Sequence, residues 1–307
     1  MAAAELVDRV MGSELRIVAV DPPPGALAAA VEQLRALEAR WSPFEPDTDL
    51  ARLHRSAGTP VAVSPSTLVL VESMLAAWSS TGGAYDPTLL PVLVAHGGGW
   101  SRTAPHRLAV LPDGPVRWGA AAEIVVDRVS GTVRVPVGIA LDASGIGKGL
   151  AADLAVAGLL AAGAAGALVS IGGDLACAGR APDEAGWTVV VEQPDLPGAE
   201  LTRWSVSAGG VATSSTRSHR WRVAGGERHP TVDPRTGAPA STDLAAVTVI
   251  ATCGWMAEAL ATAALLATSS GVDALLAASG ASGLWVDDVG GVHATADVAA
   301  ASGLVTR

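Results

Sequence analysis

Apart from its nine tryptophans, the chain is poor in aromatic side chains, with one tyrosine, Tyr85, and one phenylalanine, Phe44, in 307 residues. Each either fills core or stacks on a planar heterocycle. Cysteine is nearly absent. Cys177 and Cys253 are the only two, far apart, with no CxxC and no zinc spacing. That excludes a disulfide framework or a cysteine zinc site and predicts two buried free thiols. Basic charge is also short, with 20 Lys and Arg against 30 Asp and Glu and a net charge of -10. Phosphate backbones are bound by clustered basic side chains, and no cluster occurs, so no nucleic-acid partner is expected. No apolar run reaches membrane-spanning length. Residues 151–168 come closest, but they are mostly Ala and Gly and include Asp153. The first nine residues lack the basic region and apolar core of a signal peptide, so a cytoplasmic protein without a membrane anchor is expected.

Small and aliphatic residues are plentiful, and half of the sequence is hydrophobic. A sizeable core is assured, in one large or two ordinary domains. With no internal repeat and no linker, residues 1–307 are expected to form a single unit, with two closely associated lobes. Glu14 to Val20 reads as a strand and Leu27 to Trp41 as an amphipathic helix. Ser64-Pro65 is an N-cap followed by a first-turn proline, opening a helix to about Ser80 that Gly82-Gly83 stops. Residues 96–120 read as a surface excursion with some short helix. Ile124 to Val137 reads as a hairpin turning at Ser130-Gly131. Lys148 to Ala162 reads as a helix and Ala167 to Ile171 as a strand. Further strands are expected at Trp187–Glu192, Arg203–Val206, Val211–Thr213, Arg220–Val223 and Leu244–Ile250. An alanine-rich helix follows from Trp255 to Thr268, then a hairpin of Gly283–Val286 and Val292–Ala294. Irregular alternation with frequent hairpins indicates an α+β fold, with mixed sheets and packed helices.

The densest chemistry lies in Asp142-Ala-Ser-Gly-Ile-Gly-Lys-Gly149, at the mouth of an apolar helix. Glycines let backbone amides approach a ligand closely, and a helix start favours negative charge. The spacing is neither a Walker A loop nor a Rossmann turn, so an anion site of a less common kind is expected. Glu258 sits in a helix without a basic neighbour, and Thr262, four residues on, shares its face. Such a carboxylate is exposed on a solvated face, protonated or paired with a cation; Mg2+ held by oxygens is the functional alternative. Ser170-Ile-Gly-Gly-Asp174 ends a strand, and Asp174 is either exposed in a tight turn or near a ligand. Thr213-Ser214-Ser215 has no nucleophile elbow around it. His229-Pro-Thr-Val-Asp233-Pro-Arg-Thr-Gly237 reads as a β-turn or as a pair, Asp233 and Arg235, beside an anion.

Taken in order, these motifs resemble the ApbE family, the FAD:protein FMN transferases. The resemblance runs from Met11-Gly12-Ser13 through the segment around Phe44, Gly82-Gly-Ala-Tyr-Asp86, Asp142 to Asp153, Ile171-Gly-Gly-Asp174, Ala212-Thr-Ser214 and Val232-Asp-Pro-Arg-Thr-Gly237 to the helix of Glu258 and Thr262. It implies binding of FAD and Mg2+ and transfer of FMN to a Thr or Ser hydroxyl of an acceptor protein, with release of AMP. A non-catalytic FAD-binding protein and an FAD pyrophosphatase are the alternatives. The resemblance implies that Met11 and Phe44 flank the flavin and that Ala84, Tyr85, Asp86, Thr213 and Val232 contact the nucleotide. Asp142 and Lys148 would hold FAD and, with His229, serve catalysis. The Gly145 carbonyl, Glu258 and Thr262 would hold the metal. The chain departs from the family pattern at Glu258 (usually Asp), Pro230 (usually His), Ser215 (usually Gly) and His54 (usually Asn).

Overall fold

The computed structural model describes residues 2–99, 101, 107–218, 220–223, 226–229 and 231–302. The chain opens with β1 (Ala3–Val10) and β2 (Ser13–Val20), then α1 (Ala26–Trp41) and α2 (Asp49–His54). β3 (Val61–Ala62), α3 (Pro65–Ser80), α4 (Leu90–Ala95), β4 (Val125–Asp127) and β5 (Thr132–Arg134) follow. α5 (Gly147–Ala161) leads to β6 (Gly166–Ile171), β7 (Asp174–Gly179), β8 (Trp187–Gln193), β9 (Leu196–Val206) and β10 (Gly209–Ser215). The last third holds β11 (Trp221–Val223), β12 (Gly226–Arg228), β13 (Leu244–Ala251), α6 (Gly254–Leu265), α7 (Val272–Ala278), β14 (Ser282–Asp287), β15 (Val292–Ala294) and α8 (Ala296–Ser302). The α+β class with packed helices is what the sequence pattern implies. The sheets are more uniform than the expected mixture, because every strand pairing among the described residues is antiparallel.

Two compact units share the chain. The first takes Met1–Leu34, Lys148–His219 and Ser241–Arg307. Its frame is an eight-stranded sheet in the order β1-β2-β6-β7-β10-β13-β14-β15. Alternate residues of a strand face opposite sides, and the core divides accordingly. Val211 joins Trp187, Val189, Trp204 and Val206 of the β8–β9 hairpin on one face. Its neighbour Ala212 joins Ala257, Leu260, Ala261 and Ala264 of α6 on the other. The small side chains of α6 let that helix lie close on β10 and β13. No helix among the described residues is long and apolar enough to cross a membrane.

The second unit takes Arg35–Gly147 and Arg220–Ala240. α3 starts as the Ser64-Pro65 signal predicts: Ser64 Oγ accepts the Thr67 amide at 3.3 Å, and Thr81 closes the helix ahead of Gly82 and Gly83 at φ of 60° and 83°. β4 and β5 form the hairpin expected at Ser130-Gly131. The expected excursion at 96–120 is an extended segment whose Ala109 is buried with Leu90 and Ala140; part of it, residues 100 and 102–106, lies outside the described residues, as does Pro230. Four strands, β1, β3, β7 and β12, are not among those the sequence pattern predicts. The thiols are both free, Cys177 buried and Cys253 half-buried rather than buried.

His54 explains one departure from the family pattern. It is buried at 2% exposure, with Nδ1 2.8 Å from the Val110 carbonyl and Nε2 accepting the Leu141 amide at 2.9 Å. Both bonds require the neutral ring, with its proton on Nδ1. Burial pulls the His54 pKa down to about 4. A pKa depressed by folding contributes stability above the unfolded value, near 6.5, and that stability is lost as pH falls toward 4. The urea midpoint should therefore drop between those pH values, and His54→Leu, though less stable overall, should show a shallower slope there. Equal slopes in the two proteins would show that His54 is not the titrating group.

Candidate active site

At one end of the first unit's sheet, two hairpin turns meet. Met11 and Gly12, at φ of 51° and 66°, form the two-residue turn between β1 and β2. Gly172 and Gly173, at φ of 62° and 97°, do the same between β6 and β7. Positive φ at both positions matches the twist of a tight hairpin. The Gly172 amide donates to the Glu14 carbonyl at 2.8 Å. A Cβ on Gly172 would lie 2.8 Å from Ser13 Oγ and 3.9 Å from Lys148 Cδ. Only glycine lets these two turns come so close.

Lys148, the only lysine in the chain, sits in the first turn of α5. Its Nζ pairs with Asp174 Oδ2 and, at 2.5 Å, with Glu258 Oε1. Asp174 and Glu258 are 6% and 4% exposed, which rules out both the exposed-turn reading of Asp174 and the solvated-face reading of Glu258. The carboxylate that has no basic neighbour in sequence finds one 110 residues away. Among the described residues, Lys148 is the cation that stands beside Glu258. Asp174, absent from the expected site residues, also accepts the Thr213 amide at 3.3 Å. The Thr213 hydroxyl is 2.9 Å from that of Thr248. Thr262 donates to the Glu258 carbonyl at 3.1 Å and lies 3.3 Å from Ser214 Oγ.

Two helix starts are bound together here. The first four amides of a helix have no partner within it. Glu258 of α6 accepts one such amide of α5, Gly149 N, at 2.8 Å on Oε2. Asp153 of α5 accepts the Gly254 and Trp255 amides of α6 at 2.7 and 3.0 Å. Each helix caps the other. The backbones touch where they cross: a Cβ on Gly149 would lie 2.3 Å from the Gly254 oxygen, and one on Gly210 would lie 2.4 Å from Gly254 N and Cα.

Burial dominates the titration of Glu258 and, with the Asp174 charge adding, outweighs the Lys148 charge and raises its pKa to about 7. Burial acts to lower the Lys148 pKa, but the charges of Asp174 and Glu258 prevail and hold it above the ordinary lysine value. With both carboxylates ionised, one ammonium leaves this cluster one negative charge in excess. Among the described residues no group of three or more His, Cys, Asp or Glu could hold a metal ion. A hard cation would have to take mixed oxygens, and that is what Glu258 and Thr262 present. Each carboxylate oxygen of Glu258 keeps a further lone pair beyond the bond it accepts, so the residues fit a hard divalent ion.

The remaining candidates lie in the second unit. Asp142 folds its own turn, its carboxylate accepting the Ser144 amide at 2.9 Å and hydroxyl at 2.7 Å. Its amide donates to the Pro87 carbonyl at 2.7 Å, which brings it beside the Ala84-Tyr85-Asp86 segment. Asp86 is buried and accepts the Thr88 amide and hydroxyl at 2.8 and 2.7 Å. Tyr85 is buried too, its amide bound to Thr81 Oγ1 at 3.0 Å. Phe44 packs, partly exposed, against the cluster of Leu90, Ala109 and Ala140. Val232 is buried with Leu89, Val92 and Leu93. Asp233 pairs with Arg235, which is exposed. His229 is half-buried, and burial lowers its pKa. Its Nδ1 has no hydrogen-bond partner among the described residues. Gly145 lies in the Asp142 turn, two residues ahead of α5.

The order of these motifs and this fold have known counterparts. The model of the ApbE family matches residues 11–284. The chain belongs to the ApbE family. It is 30% identical over 296 residues to the FAD:protein FMN transferase of Treponema pallidum, covering 87% of this chain and 82% of that protein. It is 29% identical over 260 residues to the protein of the same name from Salmonella typhimurium, covering 81% and 74%. The crystal structure of the ApbE protein from Thermotoga maritima superposes with a TM-score of 0.83 at 25% identity, covering 98% of this chain and 99% of that one. That of the Pseudomonas stutzeri flavinyl transferase ApbE in its apo form gives 0.80 at 25% identity, covering 99% and 98%.

The crossing of α5 and α6 makes a sharp contrast between two ApbE glycines. Gly149→Ala should lose about 1–3 kcal/mol of stability by overpacking, despite alanine's better helix propensity. Gly147→Ala, whose Cβ would meet only Ala143 Cβ at 3.5 Å, should stay within about 0.5 kcal/mol. Chemical denaturation of both variants checks this; equal losses would show that the helices are not in backbone contact.

Proposed function

We propose that this chain is an FAD:protein FMN transferase that moves FMN from FAD to a Thr or Ser hydroxyl of an acceptor protein and releases AMP. The observation that carries the reading is Lys148 paired with the buried carboxylates of Asp174 and Glu258 at the helix crossing of an ApbE-family chain. In the transfer, the acceptor oxygen bonds to the FMN phosphorus, the phosphoanhydride bond to AMP breaks, and the hydroxyl proton leaves. Such reactions are catalysed mainly by positioning and by neutralising phosphate charge.

Lys148 supplies an ammonium to the diphosphate. Its side chain is 24% exposed, enough to reach a ligand without leaving its carboxylates. Asp174 holds that side chain in place. Asp142 shapes the turn that receives FAD, with Tyr85, Asp86, Ala84, Thr213 and Val232 along the nucleotide and Met11 and Phe44 at the flavin. Glu258 and Thr262, with the Gly145 carbonyl, are the proposed Mg2+ ligands. A bound Mg2+ would neutralise charge developing on the diphosphate. His229 is the proposed proton acceptor; burial lowers its pKa, which favours the neutral imidazole that a base needs.

The deciding experiment incubates the protein with FAD, Mg2+ and an acceptor bearing a flavinylation site, and follows in-gel flavin fluorescence together with AMP. Covalent label with stoichiometric AMP is expected. Free FMN and AMP without label would make the protein a pyrophosphatase, and unchanged bound FAD would make it a carrier. Glu258→Gln keeps an acceptor for the Gly149 amide but removes the charge, and should abolish Mg2+-dependent transfer; undiminished transfer would take the metal away from Glu258. Lys148→Ala should weaken FAD binding, read by quenching of flavin fluorescence; unchanged affinity would move the ammonium off the phosphates.

A further inference from the structure

Asp153 takes no part in the reaction just described, yet it is the counterpart of Glu258 in the helix crossing. It stands on α5 five residues after Lys148 and accepts the Gly254 and Trp255 amides of α6 at 2.7 and 3.0 Å. Those amides open the helix that presents Glu258 one turn later. Glu258 returns the contact to the Gly149 amide at 2.8 Å. The glycines at the crossing leave no slack, since a Cβ on either Gly149 or Gly254 would sit within 2.6 Å of the other residue's carbonyl oxygen. The Glu258 carboxylate is held directly by Lys148 Nζ and the Gly149 amide, and the start of its helix is held by the two Asp153 bonds and the backbone contact.

We infer that Asp153 is the positioning residue for Glu258: by capping α6 it holds the Glu258 carboxylate on the Gly149 amide and in the geometry that binds a divalent ion. This rests on the metal reading above for its effect on binding, and on the hydrogen bonds alone for its effect on Glu258. Burial pushes the Asp153 carboxyl pKa up, while its two amide partners pull it down. A carboxylate offers both oxygens to two amides; asparagine offers one. Replacement by Asn therefore satisfies one α6 amide and leaves the other bare, and replacement by Ala frees both.

The test uses the full chain with Asp153→Asn and Asp153→Ala, and Mn2+ as the probe, its binding followed by electron paramagnetic resonance without FAD or acceptor. Supporting residues behind a metal ligand typically change affinity by roughly 10- to 100-fold. Asp153→Ala should fall in that range, Asp153→Asn between it and the parent. Hydrogen exchange at the Gly149 amide, on the helix that was not uncapped, should speed up in the same order. A lowered melting temperature with Mn2+ affinity and Gly149 exchange both unchanged would overturn the inference and leave Asp153 a stabiliser only. If the parent chain binds no Mn2+, the metal reading fails. Gly149 exchange then decides by itself: faster in Asp153→Ala upholds the positioning of Glu258, and unchanged rejects it.

Discussion

Two helices that start at the same point, each finished by a carboxylate of the other, are the constraint around which this end of the molecule is arranged. An isolated helix start exposes donors to water. Here the donors are buried against a second helix, so they need acceptors that the first helix cannot supply. Asp153 and Glu258 meet that need and also place negative charge where the peptide dipoles favour it. The exchange works only if the backbones touch, which is why Gly149, Gly254 and Gly210 gather there. Lys148 follows from the same arrangement, because the first turn of α5 lifts its side chain toward Asp174 and Glu258.

Burying two carboxylates with one ammonium is costly unless each oxygen is hydrogen-bonded. Glu258 uses Lys148 and the Gly149 amide; Asp174 uses Lys148 and the Thr213 amide. The Gly172-Gly173 turn lies beside the lysine stem. Sheet, turns and helix crossing therefore act on one small group of side chains. In the second unit the candidate residues are organised differently. Asp142 and Asp86 use their oxygens on their own turns, giving firm loops rather than a charged cluster.

Local signals are legible in the sequence. Ser64-Pro65 starts a helix, Ser130-Gly131 turns a hairpin, and the apolar stretches after Lys148 and Gly254 are helices, because each is decided by neighbouring residues. β1 escapes such a reading because its charged alternation, Glu5, Asp8 and Arg9, resembles a solvated terminus until β2 pairs with it. β7 escapes it because Asp174 looks like a turn residue. Glu258 is visibly odd, but its cation lies more than a hundred residues away, and no spacing rule connects them. Asp153 shows only as a charge interrupting an apolar run. His54 stands in the sequence only as a departure from the usual Asn, and its reason emerges when both ring nitrogens are seen bonded, to Val110 and to Leu141.

The rarity of lysine has a chemical consequence. Every other basic side chain counted among the cations is an arginine, so the molecule carries one ε-amine, and it stands among Asp174 and Glu258. Reagents or modifications that acylate amines meet a single side-chain target, one whose neighbours keep it protonated and slow to react. Whatever alters that pairing changes the reactivity of this one nitrogen, and the chain thereby holds a built-in reporter on the state of its own helix crossing.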